Sequence, residues 1–305
     1  MPQNRIPRRK SIKLFALAGT AVLTAPKLLF SQMKKGKKIR FGLLADSHYA
    51  DRDPAGTRYY RDAKEKMRVA IEELNGQNLD FVVHLGDFKD EDPAQNPNDT
   101  LRYLQDIERE FQQFNGHVHH CLGNHDVDSI TKKQFLQNIT NSGQNKAESY
   151  YSFDQNGMHF VILDANYDAE GNDQFYADGA DWQKTHIPDF ELEWLKNDLE
   201  NTVLPCIILC HHPLYEFYKE GYTFHVNNYM EVRDILEASE KVLAAFHGHV
   251  HQEDFQQIKG VHYVTQLGMV DYKGLANNSF AIAEISDGKI TIQGFKRASS
   301  QELNN

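Results

Sequence analysis

The sequence predicts an α/β fold with a strand-rich C-terminal end, and three observations carry that expectation. Short apolar runs rich in β-branched residues recur along the chain, at Ile39–Ala45, Phe81–Leu85, Val118–Leu122, Phe160–Leu163, Cys206–Cys210, Val242–Phe246, Val261–Thr265, Phe280–Ile285 and Ile290–Phe295. Their length and composition favour strand over helix. Helical spacing appears between several of them: Ala63, Met67, Ala70, Ile71 and Leu74 share one face, as do Leu104, Ile107, Phe111 and Phe114, and again Leu192, Leu195 and Leu199. A further helix is expected over 229–239. Strand alternating with helix implies layered α/β packing. Two long irregular stretches remain, Asp164–Asp189 and Pro213–Asn228, and loops of that length in a compact domain are usually functional or mobile.

A chain of 305 residues, 40% of them hydrophobic, has enough apolar material for one sizeable core. No internal repeat or low-complexity tract is present, which argues against a solenoid. Residues 1–35 hold eight Lys/Arg and no acid; removing those eight from the 33 in the chain leaves 25 basic against 43 acidic residues. So acidic a body is a poor nucleic-acid binder, because phosphate contacts are made largely by Lys and Arg. Three cysteines, Cys121, Cys206 and Cys210, cannot make a disulfide framework and sit in apolar runs as small buried hydrophobes.

The N-terminus reads as an address. Arg8 and Arg9 precede a short apolar run from Leu14 to Ala25, too short to span a bilayer but suited to a signal-peptide core. The paired arginines resemble the twin-arginine export signal, although Ser11 stands where that signal carries Phe. Residues 1–34 are therefore expected to be an export signal, with an ordinary secretory signal or an uncleaved anchor as alternatives. The mature protein is expected outside the cytoplasm, periplasmic or extracellular, without stable membrane insertion. The catalytic domain is expected over 38–297, with 298–305 as a tail.

The chemistry lies just after the strands. The first runs into Asp46-Ser47-His48, the second into Gly86-Asp87, and the third into Gly123-Asn124-His125-Asp126. The Cys206–Cys210 strand ends in His211-His212-Pro213 and the Val242–Phe246 strand in His247-Gly248-His249. In an α/β sheet the loops at the C-terminal strand ends open on one side, where sites form. Carboxylate, imidazole and amide oxygen suit Mn, Fe, Zn or Mg, and no thiolate set competes. Seven candidate ligands overfill one tetrahedral site and suit two ions sharing a carboxylate.

Asp46-x-His48, Gly86-Asp87, Gly123-Asn124-His125-Asp126, His211 and His247-x-His249 together resemble the signature of the calcineurin-like metallophosphoesterases, over roughly Lys38 to Phe295. The resemblance implies a four-layer α/β/β/α sandwich. It also implies that Asp46, His48 and His249 hold one divalent ion, that Asn124, His211 and His247 hold another, and that Asp87 bridges them. His125 would contact the phosphate, and Asp126 could orient it or cap its loop. The purple acid phosphatase branch is less similar: it carries Tyr three residues after the bridging Asp, where this chain has Asp90, and lacks a histidine at the position of His48.

The manganese-dependent ADP-ribose/CDP-alcohol diphosphatases are more similar, on the segments starting at Gly56 (GTRYYR), Phe160 (FVILDA), Glu193 (EWL) and Asn228 (NY). Some of that group carry Gln where His48 stands. Bacterial secreted metallophosphoesterases of alkaline-phosphatase type are also similar. The implied activity is two-metal hydrolysis of phosphoester or phosphoanhydride bonds in a small phosphorylated substrate such as ADP-ribose or a CDP-alcohol. Phosphomonoesterase and phosphodiesterase activities remain alternatives, as does a non-catalytic binding role, which usually goes with lost ligands. Aromatics crowd both long loops, among them Tyr167, Tyr176, Trp182, Tyr215, Tyr222 and Phe224, either to stack on a base or to fold the loops. Arg58 and Arg61 are candidates to meet a second phosphate.

Overall fold

The computed structural model describes residues 38–144, 148–286 and 289–303; the expected export signal lies outside them. Two six-stranded sheets pack face to face. The first runs β14(Gln301–Leu303)-β13(Lys289–Lys296)-β12(Ser279–Ser286)-β1(Lys38–Leu44)-β2(Phe81–His84)-β3(His117–His120), with β1, β2 and β3 parallel. The second runs β10(Asp254–Ile258)-β11(Val261–Thr265)-β9(Val242–His247)-β6(Cys206–Cys210)-β5(Met158–Leu163)-β4(Tyr151–Gln155), parallel at its centre. A two-residue-per-strand hairpin, β7(Tyr218–Lys219) and β8(Tyr222–Thr223), stands apart.

The central strands read as unbroken apolar runs because both their faces are covered. Between the sheets, Phe41 of β1 stacks on Phe81 at 5.0 Å and meets Phe160 and Phe246 of the other sheet edge-on at 5.4 and 5.8 Å. Offset and edge-on contacts of this kind are the favoured aromatic geometries. On the outer face of the first sheet lie α1(Asp62–Asn75), α2(Pro97–Phe111) and α3(Lys132–Asn138), whose Met67, Leu74, Leu104, Phe111 and Phe135 cover Val82, Val118 and Ile282. On the other outer face α4(Asp189–Asn201) and α5(Tyr229–Ala238) lay Leu192, Leu195, Val232 and Leu236 over Ile208, Ala245 and Tyr263. The four-layer sandwich implied by the resemblance is therefore the fold.

Local chemistry starts the helices. Asn96 caps α2, its side chain accepting from Asn98 N at 3.1 Å, and Pro97 occupies the first turn, where its missing N–H costs nothing. Thr131 and Gln134 form a reciprocal capping box at α3, with bonds of 3.2 and 2.9 Å. That short helix was not anticipated, because its seven residues carry only Phe135 and Leu136 as apolar pair. The edge strands β4 and β10 were also not anticipated: one flank faces solvent, so their sequences mix polar with apolar residues. The expectation of a tail over 298–305 is corrected, since Gln301–Leu303 pairs with β13 and Leu303 is buried between the sheets. Among the described residues, no helix is long and apolar enough to cross a membrane.

One buried ion pair ties the first sheet to α2. His120 meets Glu108 Oε2 through Nε2 at 2.9 Å and Asn141 Oδ1 through Nδ1 at 3.0 Å, packed between Phe88 and Phe111. Burial opposes the imidazolium, but Glu108 outweighs it and holds the His120 pKa above its ordinary value. A raised folded-state pKa contributes stability that is complete below the unfolded value, near 6.5, and is lost as pH rises through the folded value. Glu108→Gln should cost about 1–3 kcal/mol at pH 6. The difference from the parent should shrink toward pH 9; urea midpoints at the two pH values measure it, and an equal difference at both would refute an ionised pair.

Candidate metal centre

The C-terminal ends of β1, β2, β3, β6 and β9 bring five loops to one edge of the sandwich. Their backbones are bent in a distinctive way. Asp46 (φ 54°), His48 (44°), Asp87 (53°), His249 (70°) and His251 (51°) all adopt left-handed conformations that side-chain-bearing residues avoid. Each costs on the order of 1–3 kcal/mol and persists only where the surroundings enforce it. The enforcement is visible: Asp46 N donates to Gly86 O (3.1 Å), His48 N to Asp87 O (2.9 Å), and Val270 N to Asp46 O (3.0 Å). Two glycines are required by close approach. A Cβ on Gly123 would lie 2.2 Å from Asp87 N, and one on Gly248 would lie 2.7 Å from Asp46 Oδ2.

Asp87 is the hub. Its Oδ2 lies 3.4 Å from His48 Nε2 and 3.2 Å from His211 Nε2, while Oδ1 accepts from His125 N at 2.8 Å. On the His48 side, Asp46 Oδ1 is 4.0 Å from His48 Nε2 and 3.5 Å from His251 Nε2, and the two Nε2 atoms are 3.0 Å apart. The opposite edge of each ring is tied outward. His48 Nδ1 meets Asp90 Oδ2 at 3.1 Å, His251 Nδ1 meets Asp271 Oδ2 at 2.9 Å, and His211 Nδ1 donates to Leu85 O at 2.7 Å. Such outer bonds fix the tautomer and turn the Nε2 lone pair inward, as metal-binding imidazoles require. Asp46 Oδ2, Asn124 Oδ1, His211 Nε2 and His249 Nε2 are buried without hydrogen-bond partners. Buried polar atoms are rarely left so, and a carboxylate, amide-oxygen and imidazole set converging on one edge fits divalent cations.

Electrostatics agree. Burial, then Arg58, push the His48 pKa down to about 4, which keeps this imidazole neutral and able to donate its lone pair. Burial works against the charge of Asp87, yet His211, His125 and His48 hold its pKa well below the usual carboxylate range.

Most of the anticipated residues assemble here, with two differences. His247 does not join the cluster. Phe246 points between the sheets against Phe41, so by the two-residue period of a strand its successor points the other way. The His247 ring lies parallel to Tyr263 at 6.4 Å and 6.1 Å from Tyr215, in the layer under α4 and α5, with Nδ1 3.0 Å from Cys210 O. His251 stands beside Asp46 and His48, where His249 was expected, and His249 lies instead beside His211, where His247 was expected. The visible signal was the third member of the His247-x-His249-x-His251 alternation.

The second difference concerns Asp126. Its Oδ1 accepts from Phe88 N (2.9 Å) and Lys89 N (3.3 Å), and its Oδ2 from Gly123 N (2.8 Å). It clamps the Asp87 loop and does not orient His125. The carboxylate facing His125 is Asp90, 3.4 Å from Nδ1. His212 clusters with His211 and His249 and leaves both ring nitrogens unpartnered. His84, His119 and His120 are core residues: His84 Nε2 is 3.1 Å from Ser47 Oγ, and His119 stacks on Phe153 at 3.9 Å.

A cavity of about 490 Å³ opens over this edge, and Asp87, Asn124, His125 and His249 form its floor together with Arg58. Its wall is aromatic: Trp182 packs 5.7 Å from Tyr222 and 5.3 Å from Phe224, and its ring centre is 5.9 Å from that of His249. Tyr167, Tyr215 and Phe217 are buried instead and fold the long loops.

These positions separate two histidines experimentally. His251→Ala should weaken one of two bound divalent ions by at least tenfold, since it removes a ring facing Asp46. His247→Ala should keep both ions and lose only stability. Metal titration followed by elemental analysis measures this, and loss of an ion from the His247 variant alone would reverse the assignment.

Comparison with known proteins agrees with this geometry. The calcineurin-like phosphoesterase family profile matches residues 39–253. A manganese-dependent ADP-ribose/CDP-alcohol diphosphatase of Arabidopsis thaliana is 24% identical, covering 87% of this chain and 96% of the relative. Its namesake in Xenopus laevis is 21% identical, covering 83% and 87%. A solved dimetal phosphatase from Danio rerio superposes with a TM-score of 0.74 at 20% identity, over 87% of this chain and 98% of that one. The purple acid phosphatase PPD1 of yellow lupin gives a TM-score of 0.59 at 15% identity. With two thirds of its length matched by the family profile and the expected donors gathered at one sheet edge, the chain belongs to the calcineurin-like phosphoesterase family.

Proposed function

We propose that this protein is a two-metal hydrolase of nucleotide-type diphosphates, of the ADP-ribose or CDP-alcohol class, with manganese as the expected metal. The observation that carries the reading is the position of Asp87, whose carboxylate faces His48 on one side and His211 on the other under a substrate-sized cavity. Asp46, His48 and His251 would hold one ion with Asp87. Asn124, His211 and His249 would hold the other with the same carboxylate. Two such ions would supply an acidified water as nucleophile and would neutralise charge on the phosphate oxygens. The relatives named ADP-ribose/CDP-alcohol diphosphatases support the substrate class.

The chain's own groups do the rest. His125 is held at Nδ1 by Asp90, and its Nε2 lies 3.5 Å from Arg58 Nη1 at the cavity floor. Burial opposes its charge, but Asp90 and Asp87 raise its pKa, and its place in the cavity suits it to give a proton to the leaving oxygen. Arg58 and Arg61, equivalent on sequence, are divided by the fold. Arg61 is turned outward to Asp51 and Asp53 at 2.5 and 2.7 Å. Arg58 lines the cavity, its backbone pinned by bridges to Ala55 and Asp271. A guanidinium there is placed for a second phosphate. The basic, apolar start of the chain adds the proposal that the enzyme is exported; that rests on residues 1–34 alone.

A substrate panel with manganese tests the reading. ADP-ribose and CDP-choline should exceed p-nitrophenyl phosphate and a cyclic nucleotide in kcat/KM; the reverse order would overturn it. Arg58→Ala should lower kcat/KM for the diphosphates by about 10–100-fold, one charge-assisted contact, and spare p-nitrophenyl phosphate.

His125→Ala should leave both ions bound and lower the rate on ADP-ribose by about 10²–10⁴. The fall should be smaller for p-nitrophenyl phosphate, whose leaving group needs little protonation. Loss of an ion, or a near-parental rate on ADP-ribose, would remove the proposed role.

A further inference from the structure

His125 is gripped at three points by one short loop, residues 87–90. Asp87 Oδ1 accepts from its backbone N–H at 2.8 Å, Lys89 Nζ donates to its carbonyl oxygen, and Asp90 Oδ2 lies 3.4 Å from its ring Nδ1. The peptide groups on both sides of the His125 Cα are thus fixed from the same loop. Only the side-chain torsions are then left to place the ring, and Asp90 selects among their few staggered positions.

Two of these three residues also face the metal ligands. Asp87 meets His48 and His211, and Asp90 meets His48. Lys89 differs. Its ammonium bonds His125 O and Asp128 Oδ1, and neither is a group assigned to a metal. Lysine is almost never fully buried unless paired, and Lys89 is completely buried. Asp128 supplies the pairing charge and is itself held. Its Oδ1 also accepts from Ser129 N, the Ser129 hydroxyl is 2.7 Å from Thr100 Oγ1 of α2, and Asp128 O accepts from Ala177 N at 2.8 Å. Neutralising Asp128 would not by itself require the second bond, to His125 O. Charge-assisted bonds of that kind are stronger than neutral ones, so the carbonyl is held firmly.

We propose that Lys89 is a positioning residue for the reaction, holding the His125 backbone so that the imidazole stands at the leaving oxygen in the cavity. The proposal rests on the reading of His125 as the residue that serves the leaving group. A purely structural ion pair would stabilise the loop and affect every substrate alike.

The test is a double-mutant cycle on the manganese-loaded enzyme. Lys89→Met should keep both ions, read by metal titration and elemental analysis, and should lower kcat on ADP-ribose by up to about 100-fold, the effect of displacing a catalytic group by about 1 Å. The fall on p-nitrophenyl phosphate should be smaller, because its leaving group needs little protonation. In a His125→Ala background, Lys89→Met should have no further effect, since the group it positions is gone. Lys89→Met combined with Asp128→Asn leaves no unpaired buried charge and should show the same substrate dependence, which keeps the test open if the single variant fails to fold. Equal falls on the two substrates, additive losses with His125→Ala, or loss of an ion would overturn the proposal. A near-parental rate for His125→Ala would instead count against the reading of His125. The ring 15N signals of His125 then decide the positioning by themselves, assigned by their loss in His125→Ala and measured with diamagnetic magnesium in place of manganese. They should shift in Lys89→Met, and unchanged signals would overturn the proposal.

Discussion

The Asp87 carboxylate is the constraint on which the site depends. It sits where the first sheet's β2 loop meets the second sheet's β6 loop, and one of its oxygens faces imidazoles from both sides. The position is possible only because Gly123 yields space beside its backbone nitrogen and Asp126, held to Gly123 N on its own loop, clamps the Asp87 loop by two backbone bonds. The sandwich thus converts the packing of two sheets, set by Phe41, Phe81, Phe160 and Phe246, into a fixed separation between two ligand sets. Stability and function share this geometry, and the strained backbones of Asp46, His48, Asp87, His249 and His251 are what the packing sustains.

A second ring of residues aims the first. Asp90 faces both His48 and His125, so one carboxylate orients a ring of the donor cluster and a ring that lines the cavity. Asp271 does the same for His251, and is itself bonded by Thr57 Oγ1 at 2.8 Å. Its loop is anchored by Lys66 of α1, buried, whose ammonium donates to the carbonyls of Met269, Asp271 and Tyr272 at 2.7–2.9 Å. An outer helix is thereby wired to the orientation of a ligand ring, and outer-sphere partners of this type are known to tune metal affinity strongly.

The acidic body and the site are compatible for the same reason. Acidic residues outnumber basic ones in this chain, yet Asp46 and Asp87 at the site are committed to histidines and backbone amides. Bound cations outweigh the general field at such short range.

By itself the sequence determined the layered α/β fold and most of the donor set. Each of those signals is contiguous: an apolar run of strand length followed at once by Asp46-Ser47-His48, Gly86-Asp87, or Gly123-Asn124-His125. Short-range pattern is enough where strand, turn and ligand follow one another within ten residues. The edge strands β4, β10 and β14 escaped because half-exposed strands lose that pattern. Only the tertiary structure decided which of His247, His249 and His251 turn inward, because the strand's two-residue period and the left-handed bends after it set the direction of each ring. It alone decided that Asp90, not Asp126, meets His125, and that Arg58 and not Arg61 enters the cavity. Those choices join loops that lie far apart in sequence, and direction, unlike identity, is fixed by what the packed neighbours leave open.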